Sequence, residues 1–167
     1  MGRMNGRAKL IFFCGKMAAG KSTLAAELTR DEQAILMVQD ELLATLFPGE
    51  IVDIAAFVDR SARVRAAMEP VIRSLLSRGV SVVLDFPGNT KSQRGWFKQL
   101  LDGIDAEHQL HFIDASDALC KAQLARRSAS LPPGSAWTTD AEFDAITSYF
   151  QPPAAEEGFN VVRHARG

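Results

Sequence analysis

The stretch Gly15-Lys16-Met17-Ala18-Ala19-Gly20-Lys21-Ser22-Thr23 contains the pattern GxxxxGKS, and it follows the apolar run Leu10-Ile11-Phe12-Phe13-Cys14. Strand, glycine-bounded loop and helix, in that order, form the setting in which this pattern cradles nucleotide phosphates. The glycines admit backbone angles that a side chain forbids, so successive N–H groups can converge on one anion. Ser22–Leu28 reads as a helix whose N-terminus brings its dipole and free N–H groups to the same place. Lys21 would reach the β- and γ-phosphates, and the Ser22 hydroxyl would bind Mg²⁺. A chance glycine turn is the competing reading. At about 7% glycine, the four specified positions coincide in fewer than about one chain of this length in a hundred.

Two acids stand where such a loop would use them. Asp40 follows Leu36-Met37-Val38, and Asp85 closes Val80-Ser81-Val82-Val83-Leu84. In open parallel sheets, ligands bind beyond the carboxyl ends of the strands. Asp85 is therefore read as a second Mg²⁺-directing carboxylate, in preference to a turn residue before Phe86-Pro87-Gly88. Asp40 admits two readings: a base that positions an acceptor hydroxyl and takes its proton, or the cap of a short turn over Glu41–Leu46.

The arginines divide similarly. Arg126 and Arg127 end a helical pattern and open a breaker-rich segment, Ser128 to Thr138. Either could close over a γ-phosphate as a finger supplied in cis, although cations at a helix C-terminus also answer its dipole. Arg94 is a candidate acceptor contact by its place beyond the third strand, or a solvated cation. Arg60, Arg63 and Arg65 read as the solvated face of a long helix rather than as acceptor contacts. An acceptor would then lie between Asp40, that helix and Asn89–Arg94. His108, His111 and His164 show no i, i+4 pairing, which argues against a metal other than nucleotide-bound Mg²⁺.

These residues need a scaffold that gathers strand ends along one edge. Short apolar runs alternate with longer helical patterns, the signature of βαβ units and a mostly parallel sheet. Strands are expected at Leu10–Cys14, Ala34–Val38, Val80–Leu84, Leu110–Ile113 and Phe159–Val162. From about Ile54 to Ser77 the spacing of Met68, Val71, Ile72, Leu75 and Leu76 predicts a helix, with a kink or restart at Pro70. Ser92–Leu101 and Asp117–Arg126 read as helices, and Thr139 with Glu142 as a capping box for a last one through about Tyr149.

A length of 167 residues with 47% hydrophobic content suits one globular domain with a substantial core. The expectation is a single domain over residues 1–167, with a lid over about 127–139. A formal charge of −1 weighs against avid nucleic-acid binding, and no apolar run reaches the length of a membrane span. Cys14 and Cys120 lack metal-ligand spacing and read as buried, reduced thiols, hence a cytoplasmic setting. The guanine-reading N-K-x-D is absent; Asn89-Thr90-Lys91-Ser92 does not match it.

The chain resembles the P-loop kinases related to chloramphenicol phosphotransferase, zeta toxins and polynucleotide 5′-kinases. The resemblance runs from Leu10 to about Val162. It is carried by Gly15–Thr23, Asp40-Glu41-Leu42, Gly79 through Asp85, Gln93-Arg94, Leu119 through Arg127, Tyr149 through Pro153 and Glu157-Gly158-Phe159-Asn160. It implies a five-stranded parallel sheet, a lid with a catalytic arginine, and ATP-dependent phosphorylation of a hydroxyl. By position it makes Asp40 the base and Arg127 the lid arginine. Relatives often carry arginine at Gln123 and asparagine at Ser128, so lid contacts to phosphate would be fewer or shifted to Arg126. Polynucleotide kinases often place arginine where this chain has Leu43, which points away from a nucleic-acid acceptor. The expected function is therefore Mg·ATP-dependent transfer to a small-molecule hydroxyl. The alternatives are a polynucleotide 5′-kinase and a nucleotide-switched binding protein that hydrolyses slowly.

Overall fold

The computed structural model describes residues 7–129 and 139–167. Along the chain these form β1 (Lys9–Gly15), α1 (Lys21–Asp31), β2 (Ile35–Val38), α2 (Gln39–Leu46), α3 (Ile54–Ser77), β3 (Val82–Asp85) and α4 (Lys91–Leu101). There follow β4 (Glu107–Ala115), α5 (Asp117–Ala129), α6 (Asp140–Thr147), a 3-10 turn at Ala155–Glu157, and β5 (Val161–Arg166). The strands make one sheet in the order β2-β3-β1-β4-β5, and every neighbouring pair is parallel. This is the α/β P-loop NTPase architecture that the alternation of patterns predicts. The expected lid lies for the most part outside the described residues.

β1 runs through the middle of the sheet, and its side chains alternate between two cores. Leu10, Phe12 and Cys14 pack with Leu43 of α2, Val64, Ile72 and Leu76 of α3, and Phe97 and Leu100 of α4. Ile11 and Phe13 pack on the other face with Leu24 of α1, Leu124 of α5 and Phe143 of α6. Burial on both faces explains why β1 is apolar at every position from Leu10 to Cys14 rather than at every second one.

Several element starts differ from the sequence reading because backbone N–H groups are claimed elsewhere. Ala34 N–H donates to Thr29 O and Val80 N–H to Leu75 O, each at 3.0 Å. Both residues close the turn after a helix, so their strands begin later. Phe159 packs edge-on against Phe12, with centroids 5.4 Å apart, and the last strand starts only at Val161.

α3 does not restart at Pro70; it continues to Ser77 with the proline inside. Pro70 and Ala66 are both exposed, so the carbonyl left without its i+4 donor faces water, while Val64, Ile72 and Leu76 hold the opposite face in the core. The Thr139 side of the expected capping box forms, its hydroxyl accepting from Glu142 N–H at 3.1 Å.

Candidate functional site

Gly15 ends β1 and Gly20 opens α1, with Gly20 at φ 107, in the left-handed region. No side chain caps α1, so its first N–H groups are available to an anion. A Cβ at Gly15 would lie 3.2 Å from Ile113 O, and one at Gly20 would lie 2.6 Å from Arg166 Nη1. The backbone contact favours glycine at 15, while at 20 the left-handed φ does so, since the Arg166 guanidinium could swing aside. Lys21 Nζ turns back over the loop and donates to Gly15 O at 2.5 Å. Burial lowers its pKa, and the fields of Asp85, Cys14 and Asp40 oppose that shift. Lys21 is thus a half-buried cation beside its own loop, drawn by two carboxylates.

Asp85 leaves the end of β3, beside β1, and its Oδ2 accepts from Ser22 Oγ at 2.9 Å. Two oxygens of this kind at the loop's edge suit Mg²⁺, which prefers hard oxygen donors. Asp40 occupies the first turn of α2, but it is not the cap: Val38 holds that position and no side chain caps the helix. Desolvation, then repulsion from Asp85, raises the Asp40 pKa, with Lys21 pulling the other way. Lys21, Asp40 and Asp85 feel one another's charge at the carboxyl ends of β2 and β3, and a carboxylate with raised proton affinity is suited to accept a proton.

Beside Asp40 is a groove of about 670 Å³, walled by Leu43 and Ala44 of α2, Phe57 of α3, and the connection through Phe47, Pro48, Gly49, Ile51 and Val52. Asn89 and Arg94 do not line it. Arg94 is 0% exposed and is held within the fold. Its Nε and Nη2 donate to the two Glu157 carboxylate oxygens at 2.8 and 3.0 Å. Its Nη1 donates to Gly88 O at 2.9 Å and reaches Cys14 Sγ at 3.6 Å. The expectation that Arg94 meets an acceptor is corrected by this geometry: the guanidinium is spent on the scaffold. The same residues explain two of the stretches that carry the family resemblance, since Gln93-Arg94 and Glu157 are partners in space.

Asn89, expected beside the acceptor, serves the phosphate loop instead. Its Oδ1 accepts from Gly15 N–H at 2.9 Å, while its own N–H donates to Gln93 Oε1 at 2.9 Å. It pins the entry of the phosphate loop to the exit of β3. Arg166, which no motif marks, donates to Ala19 O at 3.4 Å and sets a second cation against the loop. No local signal in the sequence brings the last strand near Gly20; the parallel order of the sheet does. Lys16 pairs with Asp117 at 2.7 Å. Met17, Ala18 and Ala19 form the loop's body, with Ala18 at φ 61, and Thr23 is exposed on the first turn of α1. Arg126 and Arg127 stand exposed in the last turn of α5. Burial pushes the Cys14 thiol up to about 11 against the pull of Arg94 and Lys21, as befits a core residue. Among the described residues, no helix is long and apolar enough to cross a membrane.

Comparison by sequence with curated proteins gives no match. Solved structures give many. A protein assigned as a kinase from Chloroflexus aurantiacus J-10-fl has a TM-score of 0.73 at 18% identity, covering 96% of this chain and 86% of that one. The Mycobacterium tuberculosis APS kinase CysC, in complex with AMPPNP and APS, has a TM-score of 0.65 at 18% identity, covering 95% and 88%. Chaetomium thermophilum Kti12, in complex with ADP-AlF3, has a TM-score of 0.67 at 16% identity, covering 93% and 88%. At these identities the likeness is one of fold. The AAA domain family model AAA_33 matches residues 10–153. Since that match takes in β1, the phosphate loop, both strand-end carboxylates and Arg94, the chain belongs to the AAA domain family, as a P-loop kinase-like member.

Proposed function

We propose that this protein is a Mg·ATP-dependent phosphotransferase that moves the γ-phosphate to a hydroxyl of a small molecule. The observation that carries the reading is Asp40. Its carboxylate has raised proton affinity, shares the field of Lys21 and Asp85, and opens onto a groove of its own. A nucleotide switch has no use for a hydroxyl base at that strand end. The net charge of −1 and the apolar groove walls favour a small molecule over a polynucleotide.

In this reading the backbone N–H groups of Gly15–Thr23 hold the phosphates and Lys21 bridges to the transferring group. Ser22 and Asp85 would hold Mg²⁺, which when bound neutralises charge on the β- and γ-phosphate oxygens. Asp40 orients the acceptor hydroxyl and takes its proton. Arg127, with Arg126 beside it, closes toward the γ-phosphate.

Titration with a non-hydrolysable ATP analogue and Mg²⁺, alongside ADP release with an acceptor pool, tests the reading. Lys21→Ala should keep the fold and lose transfer; wild-type affinity and turnover in that variant would overturn the phosphate-loop assignment. Arg127→Ala should keep nucleotide affinity and lose turnover by about 10³-fold, as for an arginine finger, with Arg126→Ala milder. Equal turnover in both variants and the wild type would remove the arginines from the mechanism.

A further inference from the structure

We infer that the acceptor is an uncharged alcohol with an apolar body, seated in the groove between α2 and α3; this rests on the reading of Asp40 as the hydroxyl base. Among the described residues lining the groove, Asp40 alone is ionisable. Its walls are Leu43, Phe47, Ile51, Val52 and Phe57. At about 670 Å³ the groove falls within the range of small-molecule sites. Val52 is 79% exposed and Ile51 37%, so apolar side chains stand in water at the edge of a carboxylate. An apolar ligand body would cover them.

The charges around the groove disfavour an anionic acceptor. Arg60 lies over the Phe47 ring, 5.5 Å from its centroid, and it is already paired with Glu50 at 3.0 Å and with Asp59. Arg63 pairs with the same Asp59 at 3.3 Å. Arg65 has no ion pair among the described residues, yet it does not line the groove. A carboxylate or phosphate on the acceptor would meet Asp40 with no uncommitted cation among the described residues of the walls. A polyol fares little better, because each hydroxyl beyond the reacting one loses water against side chains that cannot bond to it. The chemistry wants one hydroxyl at Asp40 and carbon elsewhere. In the transfer, the acceptor oxygen forms a bond to Pγ as the bond from Pγ to the β,γ-bridging oxygen breaks. ADP leaves with that electron pair, and the hydroxyl proton passes to the Asp40 carboxylate.

The test compares primary alcohols that share a reacting group and differ in body, with ADP release measured under saturating Mg·ATP. 2-Phenylethanol and 3-methylbutan-1-ol represent apolar bodies, glucose and adenosine polar uncharged ones, gluconate and glycerol 3-phosphate anionic ones. The apolar alcohols should exceed the others in kcat/KM by at least about tenfold, the discrimination a hydrophobic pocket can supply. Val52→Glu, at an exposed position that tolerates change, should raise KM for the apolar alcohols by about tenfold or more and leave ATP-analogue affinity unchanged. Arg65→Ala should change neither. Preference for gluconate, glycerol 3-phosphate, glucose or adenosine would overturn the inference, as would a neutral Val52→Glu or an acceptor KM that depends on Arg65. Failure to phosphorylate any apolar alcohol while the ATP analogue still binds overturns the acceptor class alone. Loss of analogue binding in the unmodified protein would remove the kinase reading beneath it.

Discussion

β3 and β2 are neighbours in the sheet, and the chain leaves their ends in opposite ways. After β3 the chain is tied down at three points. Gly88 passes so near β1 that a Cβ there would fall 2.3 Å from Phe13 O, Asn89 holds Gly15 N–H, and Arg94 is clamped between Gly88 and Glu157. After β2 the chain stays open: Asp40 sits in the first turn of α2, followed by apolar side chains facing solvent from Leu46 to Val58. The contrast separates two tasks. The phosphate loop must be held to tenths of an ångström, because backbone N–H groups have no rotamers with which to adapt. An acceptor surface needs only one carboxylate at its edge, and its walls can take any chemistry the fold does not use.

If that division is right, damage on the two sides should differ in kind. Asp40→Asn is nearly isosteric and removes only the proton acceptor, so transfer should fall by roughly 10²–10⁴-fold with nucleotide affinity and melting temperature kept. Single-turnover assays and calorimetry read the two separately; normal transfer would reduce Asp40 to a helix residue. Arg94→Met should do the reverse. Leaving Glu157, whose side chain is 10% exposed, without its partner should cost about 3–5 kcal/mol of stability, the range for breaking a buried ion pair from one side. Denaturant unfolding measures this; a loss below about 1 kcal/mol, the scale of an exposed pair, would deny the clamp its structural weight. Hydrogen bonds from Arg94 hold the Glu157 carboxyl below its ordinary 4.5. The clamp's contribution is therefore full above that value and fades as pH falls through the lowered one.

The smallest effect sharpens the comparison by pH. A base must be ionised to act, and desolvation with Asp85 repulsion raises Asp40 above its ordinary 3.8. The acidic limb of kcat/KM should thus lie above 3.8 and vanish from the residual activity of Asp40→Asn. A limb at or below the ordinary value would show that Asp40 is solvated and unperturbed.

Much of this was legible in the amino-acid order. GxxxxGKS with its preceding apolar run specifies a loop, because glycine φ values and a helix N-terminus are local properties. Asp85 at a strand end could be read for the same reason, since strand and turn chemistry lie within a few residues of it. Arg94 could not. A cation near a strand end looks the same in sequence whether it faces a ligand or a glutamate 63 residues later. Asn89 and Arg166 were hidden likewise, their partners Gly15 and Ala19 lying 74 and 147 residues away.

Taken alone, the sequence determined the strand–loop–helix nucleus, the alternation of elements and the acids that follow two strands, all set by short-range sterics and periodicity. Only the tertiary structure decided which charged side chains are used up inside the fold and which remain for a ligand. That outcome depends on the parallel order β2-β3-β1-β4-β5, which brings Glu157 to Arg94 and Arg166 to the phosphate loop while leaving Asp40 with apolar walls for neighbours.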